Sequence, residues 1–285
     1  DSSHLIRTCR DMNIPSEALL VTCDVESLYL NIGHEDGIAA VLYFLDLIPD
    51  SDRMHDSLIV DLLDFILKHN YFVFDRTFFL QVSGVAMGAR CAPALANLFL
   101  GWWEATVVYP MALFKTHVRY RLRYIDDLFL CGTGTSMECQ EFIEALNHNA
   151  HNIILTQTMS PSSVTFLDLQ VTMENGSLLT SLFSKPMATN SLLEYRSFHP
   201  VHTKRGVPIG QFLRVRRNCT EDNVFHMEAR ELTSRLKERN YPRRCILAAY
   251  ERARSQNQVS LLTAKTKVVN SKPALSLLSI LIGHM

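Results

Sequence analysis

The stretch RYIDDLFL, residues 123–130, places two adjacent carboxylates between short apolar segments. Segments of this length and composition are typical of strands, so the sequence predicts a hairpin with Ile125-Asp126-Asp127 in its turn. A second apolar run, residues 17–23, is followed by Asp24 and predicts another strand that ends at a carboxylate. If these strands are neighbours in one sheet, we expect the three carboxylates to converge at one edge.

The elements predicted around this hairpin mix strands and helices. The expected strands are residues 17–23, 119–124, 128–131, 153–158, 164–171 and 178–183, with a smaller hairpin formed by 71–74 and 77–82. Asn175-Gly176 predicts a tight hairpin turn before the last of these strands. The expected helices are residues 34–47, 55–69, 94–107, 136–149, 220–240 and 243–254. This order favours an α+β fold with an antiparallel sheet.

The composition is that of a globular protein. Of the 285 residues, 47% are hydrophobic and 20% are charged, which excludes a disordered chain. The seven cysteines form no CxxC pair, which argues against a zinc ribbon or a disulfide framework and favours a reducing, intracellular compartment. No apolar run approaches the ~18 residues of a membrane span. Because the sequence starts at Asp1, we expect a fragment of a longer protein.

The net charge of −1 conceals an asymmetry along the chain. Residues 1–100 carry a balance of −8, residues 101–195 a balance of −4, and residues 196–285 a balance of +11. An acidic front with a basic tail is expected when one part holds metal ions and another binds a polyanion. The alternative is that the basic tail consists only of solvated helix faces.

Three clustered carboxylates repel one another and therefore need cations. Oxygen ligands favour Mg²⁺ or Mn²⁺, and two such ions ~3.5–4 Å apart can promote transfer of a phosphoryl group. A single Asp at a strand end is more often a cap or a turn residue. The hypothesis therefore depends on Asp24, Asp126 and Asp127 coming together.

Five stretches, taken together and in order, resemble the reverse transcriptases of Penelope-like retroelements, which are relatives of telomerase. They are VTCDVESLYLNI, GVAMGARCAPALANLFLG, RYIDDLFL, FLDLQV and SFHPVHTKRGVPIGQFLRVRR. The resemblance covers residues 20–242, which is most of the chain.

The resemblance implies a right-hand polymerase: a palm with an antiparallel sheet and helices, partial fingers and a helical thumb. We expect residues 1–194 to form the palm with partial fingers and residues 195–254 to form a basic thumb and nucleic-acid-binding region. Residues 255–285 do not resemble the family and are expected to be a divergent tail. Only 23 residues precede Asp24, so most of the fingers are expected to be missing.

The resemblance also implies roles for residues near the carboxylates. Asp24, Asp126 and Asp127 would be the catalytic residues and, with the backbone carbonyl of Val25, would hold two Mg²⁺ or Mn²⁺ ions. Tyr29 would be a steric gate that excludes the 2′-OH of a ribonucleotide; its alternative is a core aromatic.

Met87 and Gly88 would face the incoming nucleotide. Glycine would let the backbone approach the base and sugar closely. Met87 stands where many other reverse transcriptases carry Gln, so a side-chain hydrogen bond is lost there.

Basic residues follow in the C-terminal third. Residues 199–205 are expected to form a turn that brings Lys204 and Arg205 to nucleic acid. Arg214, Arg216 and Arg217 would bind phosphate, with strand-like apolar residues around Phe212. His199 and His202 have metal-ligand spacing but no third ligand, which is a weak signal.

The sequence thus predicts an RNA-directed DNA polymerase that extends a DNA primer with dNTPs on an RNA template, inside the cell and in the nucleus. One alternative is a truncated or decayed remnant that binds nucleic acid without catalysis. Another is a metal-dependent nuclease, which would lack an evident general base and would leave Tyr29 without a role.

Overall fold

The computed structural model describes residues 2–12, 14–15, 17–49, 56–184 and 189–263. The chain divides into two compact units. The hairpin unit is Val21–Thr158, and the helical unit combines Asp1–Leu20 with Met159–Lys267. Among the described residues, none of the helices combines the length and the apolar character needed to cross a membrane. Residues 264–285 of the expected tail lie outside the described residues.

The architecture is mixed, with antiparallel strand pairs and many helices. The strands are β1 (Leu19–Val25), β2 (Tyr71–Phe74), β3 (Thr77–Leu80), β4 (Val118–Tyr124), β5 (Asp127–Gly132), β6 (Leu155–Ser160), β7 (Ser163–Phe166), β8 (Leu169–Glu174) and β9 (Ser177–Leu182). The helices are α1 (Ser2–Asp11), α2 (Leu28–Asn31), α3 (His34–Asp46), α4 (Asp56–Lys68), α5 (Ala92–Trp103), α6 (Ala112–His117), α7 (Ser136–Asn147), α8 (Val201–Asn218), α9 (Asp222–Glu238), α10 (Arg243–Arg254) and α11 (Gln258–Leu262).

A four-stranded sheet with the order β4-β5-β1-β6 organises the hairpin unit. β5 lies inside this sheet, and its run of four apolar residues after Asp127, from Leu128 to Cys131, is buried. A continuous apolar run is the pattern of a strand that is covered on both faces. The expected strands at 119–124 and 128–131 are therefore confirmed.

Helix α5 is buried along most of its length. Pro93 lies in its first turn, where a missing N–H costs nothing, and Leu95, Phe99, Leu100 and Trp103 are buried. The helix continues directly into a π-helical segment, Glu104–Val108. The expected helix at 94–107 is confirmed, with a final turn that is wider than an α-helix.

The β2–β3 hairpin follows helix α4 and is confirmed around the turn Asp75-Arg76. Phe72 pairs with Phe79 across the two strands, and their rings stack with centroids 5.5 Å apart. Every residue of both strands is exposed. This hairpin therefore contributes little to the core.

A three-stranded antiparallel sheet, β7-β8-β9, belongs to the helical unit. The Asn175-Gly176 turn is confirmed, with positive φ at both residues as a tight hairpin of this kind requires. The single strand expected at residues 164–171 is wrong. The chain turns at Leu167-Asp168, where Leu167 has φ +56°, and forms β7 and β8 instead. Neither turn residue is a Gly or Pro that would have marked the break.

Helix α8 replaces the turn expected at residues 199–205 and the strand-like segment expected around Phe212. Pro208 lies inside this helix, with Gly206 and Gly210 two residues away on either side. These three residues disfavour a helix locally. Tertiary packing supplies the stability, because Phe212 and Val215 are buried in a core shared with α9 and α10. The helices expected at 220–240 and 243–254 are confirmed as α9 and α10.

Candidate functional site

The turn between β4 and β5 carries the Asp pair. Tyr124 pairs with Asp127 across the hairpin, so the turn itself consists of Ile125 and Asp126. Asp127 begins β5 rather than lying in the turn. Ile125 has φ +54°, a left-handed conformation that is uncommon for a β-branched residue. This local geometry puts Asp126 at the tip of the hairpin.

Strand β1 lies beside β5, and Asp24 is the penultimate residue of β1. Burial and the nearby negative charges of Asp126 and Glu26 raise the pKa of Asp24. Burial and the charges of Asp126 and Asp24 likewise raise the pKa of Asp127. The three carboxylates are thus close enough to repel one another. Sequence reasoning did not include Glu26, although it lies two residues beyond Asp24.

The chemistry of these donors suits a divalent cation such as Mg²⁺, which takes oxygen ligands and keeps several waters. Within the part of the chain that the structure describes, no group of three or more His, Cys, Asp or Glu side chains is arranged to hold a metal ion. A cation held by Asp24, Asp126 and Asp127 would therefore need water and substrate phosphates as further ligands, and it stays a prediction. Val25 is buried in β1, and a role for its carbonyl stays a prediction.

Tyr29 belongs to the short helix α2, directly after Asp24 and β1. Burial and the charge of Asp126 raise the pKa of the Tyr29 hydroxyl. The aromatic side chain therefore lies near the Asp126 carboxylate. Tyr29 is partly exposed rather than a core residue.

The loop before α5 packs on the backbone of α2. Gly84 has φ +76°, and a Cβ atom there would lie 2.8 Å from the carbonyl oxygen of Leu30. The Val85 N–H donates to the carbonyl of Tyr29 at 2.6 Å, and Nε2 of His34 lies 2.9 Å from the carbonyl oxygen of Gly84. Glycine at position 84 is thus required by close backbone contact. Sequence reasoning selected Gly88 and missed Gly84.

An open cavity of about 460 Å³ lies between this loop and the β2–β3 hairpin. Met87, which is 70% exposed, and Gly88 both line it. A Cβ atom at Gly88 would meet no other atom within 4 Å, so this glycine leaves space rather than allowing a tight contact. The remaining lining residues are Leu30, Asn70, Tyr71, Phe72, Gln81, Val85, Ala86 and Ala89.

A buried polar network lies behind the Asp126 turn. Glu104, in the π-helical segment, has a side chain that is 2% exposed and forms ion pairs with Arg121 and Arg123 of β4. Burial lowers the pKa of Arg121 to about 9 and that of Arg123 to about 10, so both guanidinium groups remain charged at neutral pH. Sequence reasoning missed this network, although arginines alternate along β4 and therefore share one face of the strand.

The basic residues expected to bind nucleic acid all lie on helix α8, but most have partners within the protein. Lys204 donates to the carbonyl of Ser197 at 3.0 Å. Gln258 donates to the backbone carbonyl of Arg217 at 2.8 Å, a contact that does not involve the guanidinium group of Arg217. Arg205 is exposed.

Two further arginines of this helix are held by acidic residues. Arg214 donates from Nε and Nη2 to Oδ2 of Asp168, and Arg216 pairs with Asp222 at 2.8 Å. Arg216 also donates to the carbonyl of Gln256 at 3.0 Å. These contacts tie α8 to its neighbours in the helical unit.

Asp168 is the centre of one such contact. Burial raises its pKa, but hydrogen bonds from Ser2 and Arg214 outweigh burial and lower the pKa below its usual value. Asn218 donates to the same carboxylate at 3.2 Å. Asp168 therefore holds the β7–β8 turn against α8 and α1, which is a structural task.

Comparison with known proteins gives one partial family match. Residues 191–250, which include α8, α9 and most of α10, match the model of an animal helix-turn-helix domain. No curated protein matches the chain.

Solved structures with similar folds are polymerases. Telomerase from Candida albicans, solved in complex with a fragment of telomeric RNA, has a TM-score of 0.59 at 10% identity, over 91% of this chain and 50% of that one. The RNA-dependent RNA polymerase of a human picorbirnavirus has a TM-score of 0.56 at 12% identity, over 92% of this chain and 50% of that one. The Sicinivirus 3Dpol RNA-dependent RNA polymerase has a TM-score of 0.52 at 12% identity, over 88% of this chain and 54% of that one.

The chain thus spans about half the length of the solved polymerases that it matches. At these identities the likeness establishes the fold. Mixed helices and antiparallel strands, arranged as in RNA-dependent RNA polymerases and telomerase, give this chain a palm-like polymerase architecture.

Proposed function

We propose that this chain is the core of an RNA-directed DNA polymerase of the Penelope-like type, which transfers dNTPs onto the 3′-OH of a DNA primer along an RNA template. The observation that carries the proposal is the proximity of Asp24 at the end of β1, Asp127 at the start of β5 and Asp126 in the turn before it, with Tyr29 close to Asp126. In this proposal residues 1–194 form the palm and partial fingers, residues 195–254 form the thumb, and the protein acts in the nucleus.

The reaction joins the primer 3′ oxygen to the α-phosphorus of the dNTP and releases pyrophosphate. Asp24, Asp126 and Asp127, with the Val25 carbonyl, would hold two Mg²⁺ or Mn²⁺ ions. Such ions supply charge stabilisation for the attacking and leaving oxygens. The carboxylates would also fix the positions of the two ions, because β1 and the β4–β5 hairpin belong to one sheet.

Residues around the carboxylates would bind the nucleotide and select its sugar. Tyr29 would fill the space that a 2′-OH needs and so favour dNTPs. Gly84 lets the loop rest on α2, and Met87 and Gly88 line an open cavity, which the incoming nucleotide would occupy in this proposal. The exposed basic residue Arg205 would bind backbone phosphates without reading sequence.

Primer extension tests this proposal. The chain is incubated with an RNA template, a DNA primer, Mg²⁺ or Mn²⁺, and either dNTPs or NTPs. Extension with dNTPs that is lost in Asp126→Asn, but kept in the surface variant Asp64→Asn, is expected. Replacing Tyr29 by Val is expected to admit NTPs. Extension by the parent with NTPs alone would instead indicate an RNA polymerase, as two of the structural neighbours are.

A non-catalytic remnant is the second candidate, favoured by the helix-turn-helix match and by the basic helices of residues 191–250. It predicts salt-sensitive binding to an RNA–DNA duplex with no extension under any of these conditions, and binding that is unchanged in Asp126→Asn.

A further inference from the structure

We propose that Arg123 is a positioning residue for the Asp126 turn, and that Asn97 and Glu104 act through it by holding its guanidinium group in place. The inference rests on the proposed function, because it concerns the geometry of a carboxylate assigned there to catalysis. It adds residues that lie behind the site and take no part in binding substrate.

The contacts of Arg123 join the turn to helix α5. Its Nη1 donates to the carbonyl of Ile125 at 3.1 Å and to Oδ1 of Asn97 at 2.9 Å. Its Nη2 donates to the backbone carbonyl of Asn97 at 3.4 Å. One planar group thus connects the strained turn residue with a buried helix. A lysine has a single donor position and cannot reproduce this fork.

Glu104 fixes the other side of the same guanidinium group. Its Oε1 lies 2.5 Å from Nε of Arg123, and the two side chains are only 2% and 9% exposed. Separating the two charges would leave each one buried without compensation, which is strongly destabilising. The π-helical segment that carries Glu104 is a rare conformation, and such segments are frequent at functional sites.

The turn needs such support because Ile125 is left-handed. A β-branched residue rarely adopts this strained conformation, which persists only when its surroundings enforce it. The Tyr124–Asp127 pair closes the hairpin from the strand side. The hydrogen bond from Arg123 holds the Ile125 carbonyl, one peptide unit before Asp126.

Arg121 offers a matched control. It lies two residues earlier on the same face of β4, is 11% exposed and also pairs with Glu104. Its remaining contacts go to Tyr109, whose hydroxyl lies 2.9 Å from Nη1, and not to the turn. Arg121→Lys and Arg123→Lys therefore make the same chemical change at equal burial, and only the second removes a contact to Ile125.

Two readouts are measured for both variants: single-nucleotide incorporation, separated into kcat and KM for dNTP, and Mn²⁺ affinity by electron paramagnetic resonance. Arg123→Lys is expected to lower kcat or Mn²⁺ affinity by about 10- to 100-fold, the usual cost of losing a group that orients metal ligands, with KM unchanged. Arg121→Lys is expected to change either quantity by less than about threefold. Asn97→Leu, a variant of similar volume without the acceptor, is expected to follow Arg123→Lys.

Equal losses in the Arg121 and Arg123 variants, accompanied by equal losses of thermal stability, would overturn the proposal and make the network purely structural. Unchanged kcat and Mn²⁺ affinity in both Arg123→Lys and Asn97→Leu would also overturn it. If the parent fails to extend a primer yet binds Mn²⁺, a loss of affinity confined to Arg123→Lys and Asn97→Leu would support the positioning role while the polymerase proposal fails.

Discussion

Gly84 lies directly against the backbone of Tyr29, and a Cβ atom at position 84 would be 3.0 Å from the Tyr29 carbonyl oxygen. The same carbonyl accepts the N–H of Val85 at 2.6 Å. The loop that lines the cavity and the residue proposed to select the sugar are therefore fixed to each other through backbone atoms.

Gly84→Ala is expected to disturb both the loop that lines the cavity and the position of Tyr29. The new methyl group would clash with the backbone of Leu30, and φ +76° is strained for alanine, so we expect a loss of about 1–3 kcal/mol in the free energy of unfolding and a raised KM for dNTP. Urea denaturation and steady-state incorporation measure the two effects. Gly88→Ala is the control, and we expect it to change stability by less than about 0.5 kcal/mol. Equal effects of both substitutions would contradict the assignment.

Two glycines of the helical unit are expected to respond to alanine with opposite signs. Gly176 has φ +76° in its hairpin turn, and a Cβ there would lie 3.2 Å from the carbonyl oxygen of Ile14, so Gly176→Ala should destabilise by about 1 kcal/mol or more. Gly206 is exposed inside α8 and has open space around it, so Gly206→Ala should stabilise by about 0.5–1 kcal/mol. Denaturation midpoints of the two variants should move in opposite directions. A shift of both in the same direction would refute this.

Removing the charge of Glu104 is expected to be costly. Glu104→Gln leaves Arg121 and Arg123 as two buried cations without a compensating carboxylate, and we expect a loss of about 3–5 kcal/mol in the free energy of unfolding. Differential scanning calorimetry measures the change. Glu141→Gln makes the same substitution on an exposed face of α7 and should cost less than about 0.5 kcal/mol. A comparable, small effect at both positions would show that the buried ion pairs contribute little.

Asp24→Asn is expected to stabilise the metal-free protein slightly while it abolishes primer extension. The pKa of Asp24 is raised in the folded protein, so the parent binds this proton more tightly when folded than when unfolded, and it loses stability as pH rises through the folded pKa. Asparagine does not titrate, so the stability of the variant does not fall with pH for this reason. Because Asp24 is exposed, we expect a gain of only about 0.5 kcal/mol at pH 7 in the presence of a chelator.

The pH dependence provides the control for that prediction. Below the pKa of the unfolded side chain the parent carboxyl is protonated in both states, so the difference in thermal midpoint between parent and variant should vanish near pH 3. A variant that is less stable than the parent at pH 7 would mean that the carboxylates are not repelling one another.

Arg205 and Arg216 are expected to differ in nucleic-acid binding. Arg205 is exposed, so Arg205→Ala should weaken binding to an RNA–DNA duplex and lower the slope of log affinity against log salt by about 1. Arg216 is held by Asp222 and Gln256 and should mainly affect stability. Fluorescence anisotropy at several salt concentrations measures the slopes. A larger change in slope for Arg216→Ala would reverse the assignment.

The Asp hairpin could be predicted from sequence because its information is local. Residues 118–132 alternate or run apolar on both sides of one tight turn, a pattern that is typical of two paired strands. The left-handed conformation of Ile125 could not be predicted, because an isoleucine gives no signal of positive φ. Arg123 contacts the Ile125 carbonyl, and Arg123 itself contacts Asn97 and Glu104, which lie further away in the chain.

Helix α8 and the ion pairs of Glu104 could not be predicted either, because both depend on tertiary contacts. Pro208, Gly206 and Gly210 disfavour a helix locally, and only packing against α9 and α10 overrides them. Glu104 follows an apolar helix and resembles an ordinary charged residue at its end. Its two partners lie on a strand that the sequence cannot bring beside it without the tertiary fold.

The shared carboxylate of Glu104 restricts how this sequence can drift over generations. Any single replacement among Glu104, Arg121 and Arg123 gives a protein with a changed balance of buried charge. Selection would remove such a variant. We therefore expect related chains either to keep all three residues or to have exchanged them together for apolar ones. A homologue that has lost Glu104 but kept both arginines should be rare, and its polymerase core should fold poorly.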